Sequence, residues 1–361
     1  MSDLLDRFRA VADACSDTVF WHPVQTPAEV LGSLSASAAA YDLGWDRYGA
    51  GGPVEQVEAE LVGVFGTEAA AFFPSGTMAQ QCVLRTWCDR AGTSRVALPD
   101  LSHLLHHESD GPRLIHGFRF EHLTTGRRTP TAADLAAVPG ELAAVMVELP
   151  LRDAGCLLPE WDDLVALAGA ARERGAAFHV DGARIWESQP FYGRSYGELA
   201  GVADTMYVSF YKGLGGLAGA ALVGPADVLD EARSWRQRMG GTLFHATAVA
   251  TSALARLRDR PDFAANLAWA RALAGALPAH GITVHPAPPH VPTFQVFAAG
   301  EPDEVNERLL GLMEREDLRL AGPWRAAAEP GRVENELMCS TAALAHDPAR
   351  VASLLGETVG S

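Results

Sequence analysis

The sequence predicts an α/β protein: a mostly parallel, doubly wound sheet forming a large domain, followed by a smaller α/β domain. Two observations predict this class. Short apolar strands alternate with helical segments through the middle of the chain, and beyond about residue 255 that alternation gives way to longer helices around a strand pair. With 361 residues, 48% of them hydrophobic, and a mean hydropathy near zero, the chain has enough apolar surface for a substantial core and more than one domain.

The opening residues read as helical. "WHPVQTPAEV" (21–30) carries prolines and reads as irregular, and "AYDLGWDRYGAGGP" (40–53) is a glycine-rich loop before the amphipathic "VEQVEAELVGVFG" (54–66). Strands are expected at "AAAFF", "RVALP", "AVMVELP", "AAFHVDGA", "TMYVSFY" and "GAALVG", with helices between them that include "GTMAQQCVLRTWCDRAG" and "PEWDDLVALAGAARERG". Further on come the helix "FAANLAWARALAGALPAHG", a strand pair around "ITVHPA" and "TFQVFAA", the helix "PDEVNERLLGLMERE" and an irregular ending. The proline cluster "HPAPPHVP" (285–292) is a loop, and no internal period signals a repeat protein. The expected division is an N-terminal segment (1–45), a large domain (46–255) and a small C-terminal domain (256–361).

A formal net charge of −16 and a pI near 5.1 oppose binding to phosphate backbones and anionic membranes. The expected partners are therefore small molecules or copies of the chain itself, with no nucleic acid and no membrane. The first twenty residues lack a continuous apolar run, so a cytoplasmic location is expected. Cys15, Cys82, Cys88, Cys156 and Cys339 are odd in number and scattered, which predicts reduced, mostly buried thiols and no metal site.

In an open α/β sheet, ligands bind at the carboxyl ends of the strands. Three such ends carry polar groups: "FHVDGARIW" presents Asp181 and Arg184, "VSFYKGLGG" presents Lys212, and "AAAFFPSGTMAQQ" turns through Ser75 and Gly76 into a helix near Thr77. Each has an ordinary reading. An aspartate after a strand caps a turn, a strand-end lysine snorkels to water, and a glycine-rich turn is only a turn. Together they are the three groups that pyridoxal phosphate requires: an amine for its aldehyde, a carboxylate for its pyridine nitrogen, and a helix N-terminus for its phosphate.

"PSGTMAQQ", "HLLHHES", "HVDGARIW", "YKGLGGLAGAALVG" and "RSWRQRMGG" occur in the order and rough spacing of the L-threonine aldolases. The chain thus resembles that family, within the aromatic amino acid beta-eliminating lyases of fold type I, from Tyr48 to Gly241. The resemblance implies a seven-stranded large-domain sheet, pyridoxal 5'-phosphate as coenzyme, and a homodimer or homotetramer. It implies that Lys212 binds the coenzyme's aldehyde, Asp181 pairs with the ring nitrogen, and His103 stacks on the ring. Ser75, Gly76 and Thr77 would hold the phosphate, and Arg184 would lie near the phenolic oxygen or the substrate carboxylate. Glu108 would orient the site or a helix end. Read without the family, His103 is a helix-face histidine beside His106 and His107, and "HLLHHE" a weak metal-spacing match.

The substrate side departs from the family. An "RSDT"-type stretch is replaced by "FWHPVQ", with Trp21 where a small hydroxyl residue stands; Tyr211 replaces the serine before the lysine; and Phe244 replaces the arginine of a "GGMRQ"-type segment. The arginine that grips the substrate carboxylate aligns with Glu336 of "ELMCS", with Arg332 and Arg325 nearby in sequence. Tyr211, Phe244 and Glu336 are therefore the expected substrate contacts. The implied activity is retro-aldol cleavage of a β-hydroxy-α-amino acid in a rebuilt pocket. β-Elimination or other chemistry on another amino acid or amine, and a non-catalytic coenzyme-binding protein, are the alternatives.

Overall fold

A computed structural model describes residues 2–360. The chain forms two compact units, one spanning Pro27–Arg260 and the other built from the segments before and after it. This differs from a division at residues 45 and 255, because the opening helix joins the C-terminal unit. Helix Ser2–Ala14 and the residues after it contribute Phe8, Ala12, Val19 and Phe20 to the same apolar core as Leu273, Leu309, Val333 and Leu355.

The large unit holds seven strands: β1 (Ala69–Phe73), β2 (Arg95–Leu98), β3 (Arg119–His122), β4 (Ala144–Glu148), β5 (Ala177–Gly182), β6 (Thr205–Ser209) and β7 (Ala220–Gly224). Their spatial order is β1-β7-β6-β5-β4-β2-β3. From β6 to β3 every pairing is parallel, while β7 runs antiparallel between β1 and β6. The expected mostly parallel sheet is what forms. Strands β4 to β7 are buried along their whole length, as a sheet covered on both faces requires.

Strand β3 was not legible in the sequence. It is the sheet's edge, its side chains are exposed or half-buried, and Glu121 pairs with Arg95 at 3.0 Å; a charged edge strand has no apolar signature. Helix Pro27–Ala40 also forms where the sequence reads as irregular from residue 21 to 30. Its proline stands at the first helical position, where the missing N–H costs nothing, and none of its residues is buried.

Helix Gly76–Ala91 brings the β1 end to the site. Ser75 caps it, accepting from Met78 N at 3.3 Å, and Gly92 ends it in the left-handed conformation at φ 68°. Its inner face, with Ala79 and Val83, packs with helix Ala226–Arg238 over β1 and β7.

The smaller unit holds a four-stranded antiparallel sheet of β8 (Thr283–His285), β9 (Thr293–Ala299), β10 (Arg325–Ala326) and β11 (Arg332–Met338), in the order β10-β11-β9-β8. The expected strand pair is β8 and β9. The ending is not irregular: β11 is an inner strand of this sheet, and helix Pro348–Val359 follows it. Buried Asn335 and Glu336 interrupt the apolar period of β11, and Asn335 is satisfied by donating from Nδ2 to Gly322 O at 2.7 Å. Trp21 has a left-handed backbone at φ 69°. It is fixed there by its N–H on Met338 O at 2.9 Å and by Ser340 Oγ donating to its carbonyl at 2.5 Å.

Cys82, Cys88, Cys156 and Cys339 are buried thiols and Cys15 is half-buried. No helix among the described residues is long and apolar enough to cross a membrane.

Candidate active site

Three neighbouring strands of the large unit end on ionisable groups. In the β4–β5 register Glu148 pairs with Asp181, so two carboxyls sit side by side at the strands' carboxyl ends. Both are buried. Asp181 Oδ1 accepts from Ala183 N at 2.9 Å and Oδ2 accepts from Gln80 Nε2. Glu148 Oε1 accepts from Ser102 Oγ at 2.8 Å and from His103 N at 2.6 Å. Burial raises the Asp181 pKa, against the pull of Lys212. Burial, then the charge of Asp181, lifts Glu148 to about 7, the pattern of two carboxyls that cannot both ionise cheaply in one dry place.

Lys212 follows β6 in a half-buried bend. Burial pushes its ammonium below the usual lysine range; Asp181 and Glu148 oppose that fall, and Arg184 adds to it. The sequence holds a fact that motif reading passed over: of 29 basic side chains, Lys212 is the only lysine. The glycines after it are required by contact. A Cβ on Gly213 would stand 2.6 Å from Glu187 Oε1, and one on Gly216 would stand 2.5 Å from the Phe210 carbonyl. Tyr211, beside the lysine, is 42% exposed, and burial of its hydroxyl, with Asp181 adding, raises its pKa.

His103 opens a short helix, and its Nδ1 lies 3.4 Å from Glu108 Oε1. Glu108 raises the His103 pKa, with Asp181 adding and burial and Lys212 opposing. Glu108 is itself held by Gln81 Nε2 at 3.0 Å. The neighbouring histidines point elsewhere: His106 Nε2 meets Asp100 O and His107 Nε2 meets Asp153 Oδ2, each at 2.7 Å.

At the β1 end, Ser75 and Thr77 are exposed and Gly76 is buried. A Cβ on Gly76 would stand 2.1 Å from the Tyr207 hydroxyl, so no other residue fits between helix and strand. Arg184 is buried, and its Nη1 donates to Glu187 Oε1 at 2.7 Å. Its charge is felt at Lys212 and Tyr211.

The structure thus brings Lys212, Asp181 and His103 into electrostatic range of one another in the large unit, with Arg184 acting on Lys212 and Tyr211. Phe244 lies in a different setting, 53% exposed, with its ring 5.3 Å from Tyr48 and 4.2 Å from His245. Glu336 lies in the smaller unit, on β11, opposite Gln295.

Sequence reading missed Gln80, His179, Thr205 and Glu148. One signal could have found His179: in "HVD" it stands two residues before Asp181, hence on the same face of the strand. Nothing local marks Gln80 as different from Gln81.

These residues fit pyridoxal phosphate by the chemistry of their donors. A single amine lies within range of a buried carboxylate whose oxygens are fixed by N–H donors, and a capped helix begins with exposed hydroxyls at Ser75 and Thr77.

The matches agree. A profile of the beta-eliminating lyase family covers residues 26–300, and the chain belongs to that family. Low-specificity L-threonine aldolase 1 of Arabidopsis thaliana is 27% identical over 263 residues, which span 68% of this chain and 69% of that one. Two crystal structures superpose with a TM-score of 0.90. One is a candidate aromatic amino acid beta-eliminating lyase/threonine aldolase from Exiguobacterium sp. 255-15, 32% identical over 98% of this chain and 99% of that one. The other is a candidate L-allo-threonine aldolase from Listeria monocytogenes EGD-E, 30% identical over 99% of each chain. The protein is a pyridoxal-phosphate-dependent lyase of the threonine aldolase type.

Proposed function

We propose that the protein cleaves a β-hydroxy-α-amino acid to an amino acid and an aldehyde by a retro-aldol reaction. The observation that supports this most is the chain's one lysine, half-buried within range of Asp181, Arg184 and His103. When bound, pyridoxal phosphate supplies an electron sink conjugated to the substrate's α-carbon. Lys212 would hold the coenzyme through its amine. Asp181 would hold the proton on the ring nitrogen, and Ser75, Gly76 and Thr77 would hold the phosphate. His103 would pack on the ring. With Nδ1 turned to Glu108, its Nε2, or a water it orients, accepts the proton of the β-hydroxyl. Arg184 holds the phenolic oxygen or the substrate carboxylate.

The substrate differs from free threonine in this reading, because Glu336, Phe244 and Tyr211 stand where the family resemblance places an arginine, an arginine and a serine. An anion in place of a carboxylate-gripping arginine costs on the order of a hundredfold in affinity. L-Threonine and L-allo-threonine should therefore release acetaldehyde slowly, and Glu336→Arg should raise kcat/KM for both. β-Hydroxy amines and amino acid esters, whose carboxylate is absent or masked, should be better substrates. Native cleavage of threonine at a submillimolar KM would refute the altered pocket; no aldehyde from any β-hydroxy amine or amino acid would refute the retro-aldol reading and favour β-elimination.

The active form in this reading is a homodimer or a pair of dimers. Trp45 is 72% exposed, Tyr48 62% and Leu31 65%. Trp45 and Phe244 both flank His245, and Tyr48 meets Phe244, while helix Pro27–Ala40 packs on Thr247–Arg258 with no buried side chain of its own. Exposed apolar surface of this kind favours an interface. Light scattering on the holoprotein should give twice or four times the chain mass of 38.4 kDa; a monomer with full coenzyme would contradict it.

A further inference from the structure

A series of hydrogen-bonded side chains with no part in the chemistry above, starting at half-buried Trp87 and buried from Thr205 onward, ends on Asp181. Trp87 Nε1 donates to Thr205 Oγ1 at 3.0 Å. Thr205 Oγ1 lies 2.9 Å from His179 Nδ1, and His179 Nε2 lies 2.6 Å from Gln80 Oε1. Gln80 Nε2 then donates to Asp181 Oδ2. Gln80, His179 and Thr205 are each no more than 1% exposed. The fold places them simply. His179 shares the face of Asp181 on β5, Thr205 is its register partner on β6, and Gln80 and Trp87 lie two turns apart on helix Gly76–Ala91.

The direction of the first link is fixed by its donor, and the direction of the others follows from giving every proton of the series an acceptor within it. An indole N–H only donates, so Thr205 Oγ1 accepts from Trp87 and has its single O–H available for His179 Nδ1. A neutral imidazole that accepts at Nδ1 carries its proton on Nε2, which donates to Gln80 Oε1. The amide is thereby fixed with its NH2 group toward Asp181, which can only accept. In the opposite setting a protonated Asp181 would donate to Gln80 Oε1, and His179 Nδ1–H would point at Thr205. The threonine would then receive two donors and have no acceptor in the chain for its own proton. Burial keeps His179 neutral, pushing its pKa down to about 3 against an opposing hydrogen bond with the Thr205 backbone.

We propose that Trp87, Thr205, His179 and Gln80 form a one-directional hydrogen-bond relay that holds Asp181 as a correctly oriented carboxylate. The inference rests on Asp181 being the coenzyme's carboxylate. Burial disfavours its charge; the ionisable groups facing it are Lys212, His103, Glu108 and Glu148, together with the Tyr207 and Tyr211 hydroxyls. Among these only Lys212 and His103 favour the charge, and both belong to the working part of the site. The relay supplies a donor that takes no part in turnover, so its members are positioning residues.

Nitrogen-15 NMR of the histidine-labelled holoprotein reads the first links without turnover. One ring should stay neutral with its proton on Nε2 from about pH 6 to about pH 9; if every neutral ring titrates in that range or carries its proton on Nδ1, the relay is refuted. Two variants then read its effect on Asp181. Gln80→Met keeps the volume and removes the final donor, and Trp87→Phe removes only the first. A donor to the charged form lowers a carboxyl pKa, so its loss raises that pKa and moves the acid limb of kcat to higher pH. The shift should be about one pH unit for Gln80→Met, a tenfold effect, and smaller in the same direction for Trp87→Phe. The visible band of the bound coenzyme, without substrate, should shift in parallel, and Thr205→Ser should keep the native limb where Thr205→Val does not. A purely structural role would lower Tm and leave the limb in place. Native turnover and band in Asp181→Asn would overturn the reading of Asp181 itself. Severe loss in Asp181→Asn with an unmoved limb in both relay variants would overturn the relay alone.

Discussion

Lys212→Arg is expected to lower turnover by roughly 10⁴-fold or more, the scale seen when a covalent nucleophile is removed. The substitution keeps a cation beside Asp181, so the attraction that opposes the carboxyl's burial survives and the fold should persist. What it loses is the amine, because a guanidinium stays protonated at any working pH and cannot condense with an aldehyde. The native lysine is poised the other way: burial lowers its pKa and enlarges the share of free amine. Since the sequence has no second lysine, no neighbour can substitute. Lys212→Ala, with Tyr211 exposed beside the vacated position, should regain part of its activity when methylamine is added. Turnover of Lys212→Arg within tenfold of the native rate would remove Lys212 from the mechanism.

Asp181→Asn should retain the fold and lose about 10²- to 10³-fold in kcat, about 2.7–4 kcal/mol, the range for deleting one preorganised electrostatic contact. An amide cannot hold the ring-nitrogen proton as a carboxylate does. It also brings an NH2 group into a place where Ala183 N and Gln80 Nε2 already donate, so one of those bonds must break or Gln80 must turn. KM should change far less than kcat, and Tm should change little, since burying an amide costs less than burying a charge. Near-native turnover would make Asp181 a structural cap of the turn after β5.

The strand ends were legible because each motif joins an apolar run to a polar residue that has no place in a core. Lys212, Asp181 and Ser75 to Thr77 stood out for that reason, and the six strands read from the sequence for the large sheet all form. The seventh, β3, was invisible because an edge strand keeps its charged side chains in water. Helix Pro27–Ala40 was invisible because it buries nothing within its own chain and so lacks the two-faced pattern of a packed helix. Strand β11 was hidden by buried Asn335 and Glu336, whose polarity mimics a loop. The layer behind the site was missed for a different reason. Gln80 and Thr205 look like ordinary helix and strand residues, and only the β5–β6 register and the facing helix bring them to His179. The substrate contacts remain the least legible part, because Glu336 and Phe244 were placed by alignment to a family pattern and lie far apart along the chain.

The most direct measurement is chemical. Holoprotein is reduced with borohydride, digested, and its pyridoxyl-bearing peptide sequenced by mass spectrometry. The single lysine makes the readout unambiguous, because no other side chain of this sequence carries a primary amine. One pyridoxyl group per chain on Lys212, with loss of the visible band and of all lyase activity, is the predicted result. Label on the N-terminal amine, or full activity surviving reduction, would contradict the account.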